Sequence, residues 1–110
     1  MKTELEEIIG GIKSFRDKRD WQQFHDGKNL AISLSVEASE LLEVFLWKKD
    51  TEADINKVKQ ELADVLYNAF LLVDLYGFDI KEIILEKLKV NEIKYPVDKS
   101  KGSNKKYHEL

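Results

Sequence analysis

Two pairs of acidic residues stand out because each pair borders the apolar stripe of a predicted helix. Glu37 and Glu40 are three residues apart, and Glu61 and Asp64 repeat that spacing further along the chain. Side chains three residues apart project from one helix face within a single turn. If the two helices pack side by side, the four carboxylates can converge. Because buried carboxylates are costly and repel one another, such a cluster needs a cation to neutralise it.

The four acids offer only oxygen ligands, which are the hard donors that Mg²⁺ and Mn²⁺ prefer. An iron site of the di-iron carboxylate type would need Glu-x-x-His on two helices. Here Gln22 and Lys105 stand three residues before the histidines, His25 and His108. We therefore expect magnesium. Because Mg²⁺ keeps positions open for water and phosphate oxygens, the residues alone predict metal-dependent phosphate chemistry on a helical bundle.

Acid pairs at this spacing also occur by chance on solvated helix faces. One pair alone would be interpreted in that way, but two pairs beside apolar stripes on consecutive helices favour a cluster. Glu43 points further round its helix, so we expect it at the surface or behind the four acids. The alternative function from another class is a non-catalytic helical module that binds a partner through its bundle. In that case the four acids would be scattered surface charges.

A substrate with several phosphates also needs cations, and a nucleotide needs a surface for its base. The candidate cations are Lys87 in the fourth predicted helix and the lysines of the C-terminal tail, although each lysine taken singly is ordinarily solvated. Trp21 and Trp47 flank the acidic helix. Tryptophan is usually a core residue, but an aromatic ring beside a phosphate site can stack on a base, worth ~1–3 kcal/mol. The tail lysines are Lys99, Lys101, Lys105 and Lys106.

Four helices with short connections are predicted to position these residues, which indicates an all-α fold of the antiparallel four-helix-bundle type. Residues 1–96 would form a single helical domain, followed by a polar, basic tail over residues 97–110. The predicted helices span about 3–18, about 30–48, a segment from an N-cap at Asp50 or Thr51 to a stop at Gly77, and a segment from a cap at Asp79 to Tyr95-Pro96.

The sequence also predicts two details of helix packing. Gly10 and Gly11 weaken the first predicted helix, and we interpret them as a close helix contact or a kink. The apolar residues of the fourth helix are expected to face inward. These residues are Ile80, Ile83, Ile84, Leu88 and Val90.

Composition limits the class of protein. A chain of 110 residues is long enough for one domain, and 43% hydrophobic with 35% charged residues fits a globular or bundle protein. There is no cysteine, which excludes disulfides and thiolate sites and is compatible with the cytoplasm, where we expect the protein. The net charge of −3 argues against nucleic acid as a partner. No apolar run approaches the ~18 residues of a membrane span, and we expect no membrane partner.

The acid motifs, together with the segments around them, resemble a known family. The motifs read "EASE" at 37–40 and "ELAD" at 61–64. The sequence resembles the MazG-like, all-α nucleoside triphosphate pyrophosphohydrolases, and within them the dCTP pyrophosphatase branch. The resemblance covers nearly the whole chain. Its other segments are "RDWQQFHDGKNL" at 19–30, "ELLEVFLWK" at 40–48, "ELADVLY" at 61–67, "KLKVNEIKYP" at 87–96 and "KKYHEL" at 105–110.

The resemblance implies a homo-oligomer, either a dimer or a tetramer, that hydrolyses a nucleoside triphosphate to the monophosphate and pyrophosphate with Mg²⁺. It implies that dCTP or a modified pyrimidine deoxynucleotide is the substrate and that the role is house-cleaning of the nucleotide pool. The four acids would hold the metal ions, and Glu40, with Glu37 beside it, would be catalytic by orienting or deprotonating the attacking water.

The resemblance also implies which residues contact the substrate. Lys87 and Asn91 would meet the phosphates or the sugar, with Tyr95 beside them. Trp21 and Trp47 would frame the base, with His25 and Asn29 nearby. The tail lysines and Tyr107 would close over the triphosphate.

The chain departs from the family pattern at a few positions. Val36 and Ser39 stand where the family often has glycine. Asn68 stands where the branch usually has tyrosine, although Tyr67 is adjacent. These positions bear on packing and on the base pocket, so the preferred base rests on resemblance alone. The same fold and chemistry acting on another nucleotide, such as dUTP or a noncanonical purine nucleotide, is the second enzymatic alternative.

Overall fold

The computed structural model describes residues 1–110, which form helices and no strand. Three short 3₁₀ turns lie at Trp21–Phe24, Asp50–Glu52 and Tyr107–Glu109. The all-α class and the four long helices predicted from the sequence are confirmed. None of the helices combines the length and the apolar character needed to cross a membrane. The α-helices are α1 Glu4–Lys18, α2 Gly27–Glu43, α3 Ile55–Tyr76, α4 Ile80–Lys94 and α5 Val97–Ser100.

Side-chain caps explain where several helices begin and end. Thr3 and Glu6 form a reciprocal capping box at the start of α1, with Oγ1 of Thr3 accepting from the Glu6 amide at 3.1 Å. Asp79 caps α4 as predicted, its Oδ1 accepting from the Glu82 amide at 2.9 Å. Gly77 ends α3 as predicted with a left-handed φ of 67°, a conformation that glycine adopts without a Cβ clash.

The predicted second helix over 30–48 is wrong at both ends. Oδ1 of Asp26 accepts from the Asn29 amide at 2.7 Å, and this cap starts α2 at Gly27, before the apolar spacing begins. At the other end the hydrogen bonds change to the tighter i to i+3 pattern after Glu43. Trp47 then has a left-handed φ of 63°, which cannot continue a right-handed helix.

The predicted N-cap of the third helix is also wrong. Asp50 and Thr51 belong to a 3₁₀ turn, and the cap is Asp54, whose Oδ1 accepts from the Asn56 amide at 2.9 Å. Several polar residues in a row can cap a helix, and only the backbone path after α2 selects among them.

Residues 1–77 form one compact unit in which α1 and α2 both pack on α3. The few buried residues include two polar ones, Arg16 and Asn68. Arg16 joins α1 to α3, because its Nη1 donates to Oδ2 of Asp74 at 3.2 Å. The apolar residues buried with them are Leu30, Val44 and Leu71.

Residues 78–110 form a second compact unit that contains α4, α5 and the last 3₁₀ turn. The rings of Tyr95 and Tyr107 meet edge to face with centroids 6.2 Å apart, and Nζ of Lys94 lies 4.9 Å from the centre of the Tyr107 ring. The segment predicted as a polar tail therefore carries a short helix and a ring contact back to the end of α4. The domain limits of 1–96 and 97–110 stay a prediction.

Two expectations about packing are wrong, namely a close helix contact at Gly10 and Gly11 and an inward apolar face on α4. The alternative of a kink at the two glycines stays a prediction. Gly10 and Gly11 make no close helix contact, because a Cβ added at either position would meet no other group within 4 Å. On α4 no residue is buried, and four of the five apolar residues expected to face inward are exposed. An amphipathic pattern identifies the apolar face of a helix but not whether a single chain covers that face. The exposed four are Ile83, Ile84, Leu88 and Val90, while Ile80 is half-buried.

Candidate active site

The acids predicted to converge do so at the interface between α2 and α3. One carboxylate oxygen from each of Glu37, Glu61 and Asp64 lies within 4.8 Å of the other two. Glu40 adjoins both Glu37 and Glu61, since its carboxyl group acts on the pKa of each. The convergence follows from local sequence and packing together: i, i+3 spacing puts each pair on one face, and the extensive contact of α2 with α3 brings the two faces together.

Crowding of the acids makes them hard to ionise. Burial, followed by the neighbouring carboxyl groups of Glu40, Asp64 and Glu61, raises the pKa of Glu37 to about 7. Burial and the charges of Glu40 and Asp64 also raise the pKa of Glu61. A smaller contribution to the pKa of Glu61 comes from Glu43, which is exposed near the cluster, in line with the surface position expected for it. The cluster is therefore unfavourable in its fully charged form unless a positive charge joins it.

The donor set fits a divalent cation. Oε2 of Glu37 and Oε2 of Glu61 are buried and have no hydrogen-bond donor among the protein groups. Buried acceptors are usually satisfied, so two orphaned carboxylate oxygens within one cluster are the arrangement expected of cation ligands. The ligands are all carboxylate oxygens, which match Mg²⁺ or Mn²⁺ better than softer metals.

The raised pKa of Glu37 predicts an unusual dependence of stability on pH. Without metal, the folded protein holds a proton on Glu37 at pH values where the unfolded chain has released it. The folded state therefore binds more protons between the usual pKa of 4.5 and the raised value of about 7. We expect the melting temperature of the metal-free protein to fall as the pH rises from about 5 to about 8.

Millimolar Mg²⁺ should oppose that fall, because it binds the ionised cluster of the folded state and not the unfolded chain. The stabilisation by Mg²⁺ should therefore grow with pH. Differential scanning fluorimetry over this pH range, with EDTA or with MgCl₂, measures both effects. A melting temperature unaffected by Mg²⁺ at pH 8 would contradict a cation site at these acids.

An aromatic cavity of about 500 Å³ adjoins the acid cluster. Asp64 contributes to both, so the cavity opens beside the carboxylates. The rings of Phe15 and Trp21 meet edge to face with centroids 5.7 Å apart, and those of Phe15 and Tyr67 at 6.2 Å. The guanidinium of Arg19 lies 3.7 Å from the centre of the Phe15 ring. The lining residues of this aromatic cavity are Ile8, Gly11, Ile12, Phe15, Trp21, Asp64 and Tyr67.

A polar cleft of about 410 Å³ also adjoins the cluster, at Glu40 and Glu61. It contains two lysines, Lys48 and Lys57, so anionic and cationic side chains line one surface. The acid cluster thus has an apolar cavity at Asp64 and a charged cleft at Glu40 and Glu61. The lining residues of this polar cleft are Glu40, Glu43, Val44, Lys48, Lys57, Gln60 and Glu61.

The residues predicted to surround the base do not all meet at the aromatic cavity. Trp21 lines it, whereas Trp47 is 99% exposed on the turn after α2 and is not among the lining residues. His25 follows Trp21 at the end of the 3₁₀ turn, and its buried Nδ1 has no hydrogen-bond partner. Burial, and then the charge of Arg16, lowers the pKa of His25. Nδ2 of Asn29 donates to Asp26 at 3.0 Å, so this amide is engaged in capping α2.

The residues predicted to meet the phosphates lie in the second unit. Lys87 and Asn91 are one turn apart on α4, as their spacing requires, and Tyr95 is the C-cap residue of that helix. Asn91 and Tyr95 are half-buried, and Lys87 is exposed. Within this unit Asn91 and Tyr95 lie at the C-terminal end of α4, where Tyr107 contacts the Tyr95 ring, and Lys87 lies at the middle of the helix.

Sequence reasoning missed much of the cavity wall. The sequence presents Ile8, Ile12 and Phe15 only as apolar residues within the first predicted helix, and Tyr67 only as the neighbour of Asn68. An apolar stripe does not reveal which of its members border a void. Asn68 is buried, and its Nδ2 donates to the main-chain oxygen of Asp64 at 2.9 Å, one turn earlier on α3. This residue therefore supports the backbone that carries an acid of the cluster.

Comparison with known proteins identifies the family of the chain. The family model described as MazG-like matches residues 32–110. The chain is 36% identical over 114 aligned positions to dCTP pyrophosphatase 1 of Mus musculus and 34% identical to that of Homo sapiens. In both cases the alignment covers 96% of this chain and 67% of the relative.

A solved structure supports the same assignment. A crystal structure of a pyrophosphatase from Archaeoglobus fulgidus aligns with a TM-score of 0.81 at 36% sequence identity, covering 87% of this chain and 95% of that one. The family-model match over residues 32–110 contains both acid pairs. The family resemblance inferred from the sequence is thereby confirmed, and the chain belongs to the MazG-like family.

Proposed function

We propose that the chain is a Mg²⁺-dependent nucleotide pyrophosphohydrolase that converts a deoxynucleoside triphosphate, with dCTP or a modified pyrimidine nucleotide as the lead substrate, to the monophosphate and pyrophosphate. The relatives are named dCTP pyrophosphatase 1 and the aligned crystal structure is that of a pyrophosphatase, which supports the enzyme class of nucleotide pyrophosphohydrolase. The observation that carries the proposal is the carboxylate cluster of Glu37, Glu61 and Asp64, with Glu40 beside it, between an aromatic cavity and a lysine-bearing cleft.

The two ends of a nucleotide match the two surfaces that adjoin the cluster. A base is flat and largely apolar on its faces, so it fits against Trp21 in the aromatic cavity. The phosphates carry negative charge, and Lys48 and Lys57 of the polar cleft can neutralise part of it. Lys87, Asn91 and Tyr95 remain proposed contacts of the phosphates or sugar, Trp47 remains a proposed partner of the base, and His25 and Asn29 remain proposed neighbours of the base.

The proposed chemistry needs positioning and charge neutralisation rather than a covalent intermediate. A water oxygen forms a bond to phosphorus while the bond between the α-phosphorus and the bridging oxygen breaks, and pyrophosphate leaves. Glu40 accepts the proton of that water. Glu37, Glu40, Glu61 and Asp64 would hold the divalent ions, which when bound neutralise phosphate oxygens and make water more acidic. The half-buried position of Glu37 and Glu61 limits bulk water around the reacting groups.

We also propose that the chain works as a homo-oligomer. Many large apolar side chains are exposed in a single chain, among them Phe24, Leu42, Ile55 and those of α4. Exposed apolar side chains in such number are typical of a chain that buries them at subunit interfaces. We propose the cytoplasm as the compartment, because a chain without cysteine suits a reducing environment.

Incubation with a panel of nucleotides tests the proposed reaction directly. We expect dCTP with Mg²⁺ to yield dCMP and pyrophosphate, with Glu40→Gln as the inactive control. The panel contains the common and modified deoxynucleotides, with dUTP and noncanonical purine nucleotides included, and products are separated by anion-exchange chromatography. Hydrolysis of another nucleotide in preference to dCTP would show that the lead substrate is wrong and would identify the preferred one. No product above the Glu40→Gln control from any nucleotide would favour the non-catalytic helical module.

A further inference from the structure

Gly11 lies in the wall of the aromatic cavity, and its missing side chain leaves that part of the cavity open. A Cβ built on Gly11 would meet no group within 4 Å, so any side chain there would extend into free space. Glycine is among the poorest helix formers, yet α1 runs unbroken through Gly10 and Gly11. No neighbouring group requires glycine at position 11. A larger side chain there would, however, take up space at the wall of the cavity.

The wall around Gly11 can contact a ligand through shape but offers few hydrogen bonds. Ile8, Ile12 and Phe15 present only carbon atoms, and the hydroxyl of Tyr67 is buried behind its ring without solvent access. Asp64 is the one charged side chain that lines the cavity. Because Asp64 also belongs to the acid cluster, a nucleotide whose phosphates lie at the cluster has its base within reach of this wall.

We propose that Gly11 is a specificity-determining position that sets the size of the base which the aromatic cavity accepts. This inference rests on the proposed function, and it adds that the base is selected by size and stacking rather than by its hydrogen-bonding edge. A small pyrimidine leaves the space over Gly11 empty, and a larger base fills it. The substrate class therefore includes nucleotides whose base is larger than an unsubstituted pyrimidine.

Two leucine substitutions on neighbouring residues test the proposal. Gly11→Leu fills the cavity, whereas Gly10→Leu is the matched control, because Gly10 does not line the cavity and an added Cβ there also meets nothing within 4 Å. Both changes replace glycine with a better helix former, so both variants should melt no lower than the parent protein. We expect Gly11→Leu to raise KM at least tenfold for dATP and less for dCTP, with kcat little changed. Gly10→Leu should leave both constants unchanged.

Binding without turnover gives a second readout. Of the two tryptophans in the chain, Trp21 lies in the cavity wall and Trp47 is exposed outside it, so a Trp21→Phe variant identifies the part of any quenching that comes from the cavity. We expect dAMP and dCMP, titrated in EDTA, to quench Trp21. Gly11→Leu should raise the dissociation constant for dAMP at least tenfold, and Gly11→Ala should have a smaller effect in the same direction.

The outcomes separate this inference from the proposed function. If the parent protein hydrolyses no nucleotide, the proposed function fails. If it hydrolyses nucleotides but Gly11→Leu behaves like Gly10→Leu in KM and in quenching, only the role of Gly11 is refuted. A change of oligomeric state in Gly11→Leu alone, measured by sedimentation velocity, would also refute it, because the cavity would then be a subunit contact.

Discussion

Replacing Glu37 with glutamine should reduce kcat/KM at least a thousandfold while leaving the protein folded. The amide keeps the shape of the side chain but removes the negative charge that a divalent ion requires, and a weakened ion loses its stabilisation of the transition state. The folded state should not suffer, because the carboxyl group has a pKa raised to about 7 by burial and by its acidic neighbours. Its charge opposes folding at neutral pH, and the substitution removes that charge.

For Glu37→Gln we therefore expect kcat/KM to fall while the melting temperature of the metal-free protein rises. In EDTA at pH 8 the variant should melt above the parent protein, and its melting temperature should respond less to added Mg²⁺. Glu52→Gln, which changes the same charge on an exposed turn outside the cluster, is the matched control and should match the parent in both assays. If Glu37→Gln unfolded the protein, Glu37 would be a structural residue. Retention of full turnover would exclude it from the catalytic machinery.

The second large effect concerns stability. Arg16 is 5% exposed, and its guanidinium pairs with Asp74 on α3, 58 residues along the chain. We expect Arg16→Ala to cost about 3 kcal/mol, because it breaks a largely buried ion pair and removes the packed stem of the side chain. For a domain of this size, that cost lowers the melting temperature by roughly 10 °C or more.

A matched control separates this contact from the others that Arg16 makes. Nε of Arg16 also donates to Asp17 at 2.8 Å, but Asp17 neighbours it on α1 and its side chain is 51% exposed, compared with 23% for Asp74. Asp17→Asn should therefore have a small effect and Asp74→Asn a much larger one, although Lys13 also pairs with Asp74 at 3.3 Å. Chemical denaturation of Arg16→Ala, Asp17→Asn and Asp74→Asn measures the loss in free energy of unfolding for each variant. Equal losses for Asp17→Asn and Asp74→Asn would show that the link between α1 and α3 is not what stabilises the unit.

The segments that form helices could be predicted, because helix formation depends on residues that are close together in the sequence. Apolar residues at steps of three and four, and short polar side chains at helix starts, act within a few residues of themselves. The cap at Asp79 and the stop at Gly77 followed for that reason. The predicted ends of α2 are wrong for two reasons. Asp26 caps the helix before its apolar stripe begins, and Trp47 adopts a left-handed conformation that tryptophan does not favour.

The candidate site could be predicted only in part, because some of its features depend on the packing of segments that are distant in the sequence. Each acid pair shares one helix face by its spacing alone, and the family resemblance named all four residues. The sequence by itself therefore determined the helices, the faces that carry the acids and the family. Only the tertiary structure decided that the carboxylates of α2 and α3 meet within 4.8 Å, that Trp21 rather than Trp47 borders a cavity, and that Arg16 joins Asp74. Those features depend on how distant segments pack, and packing depends on the shapes of many side chains at once rather than on any local pattern.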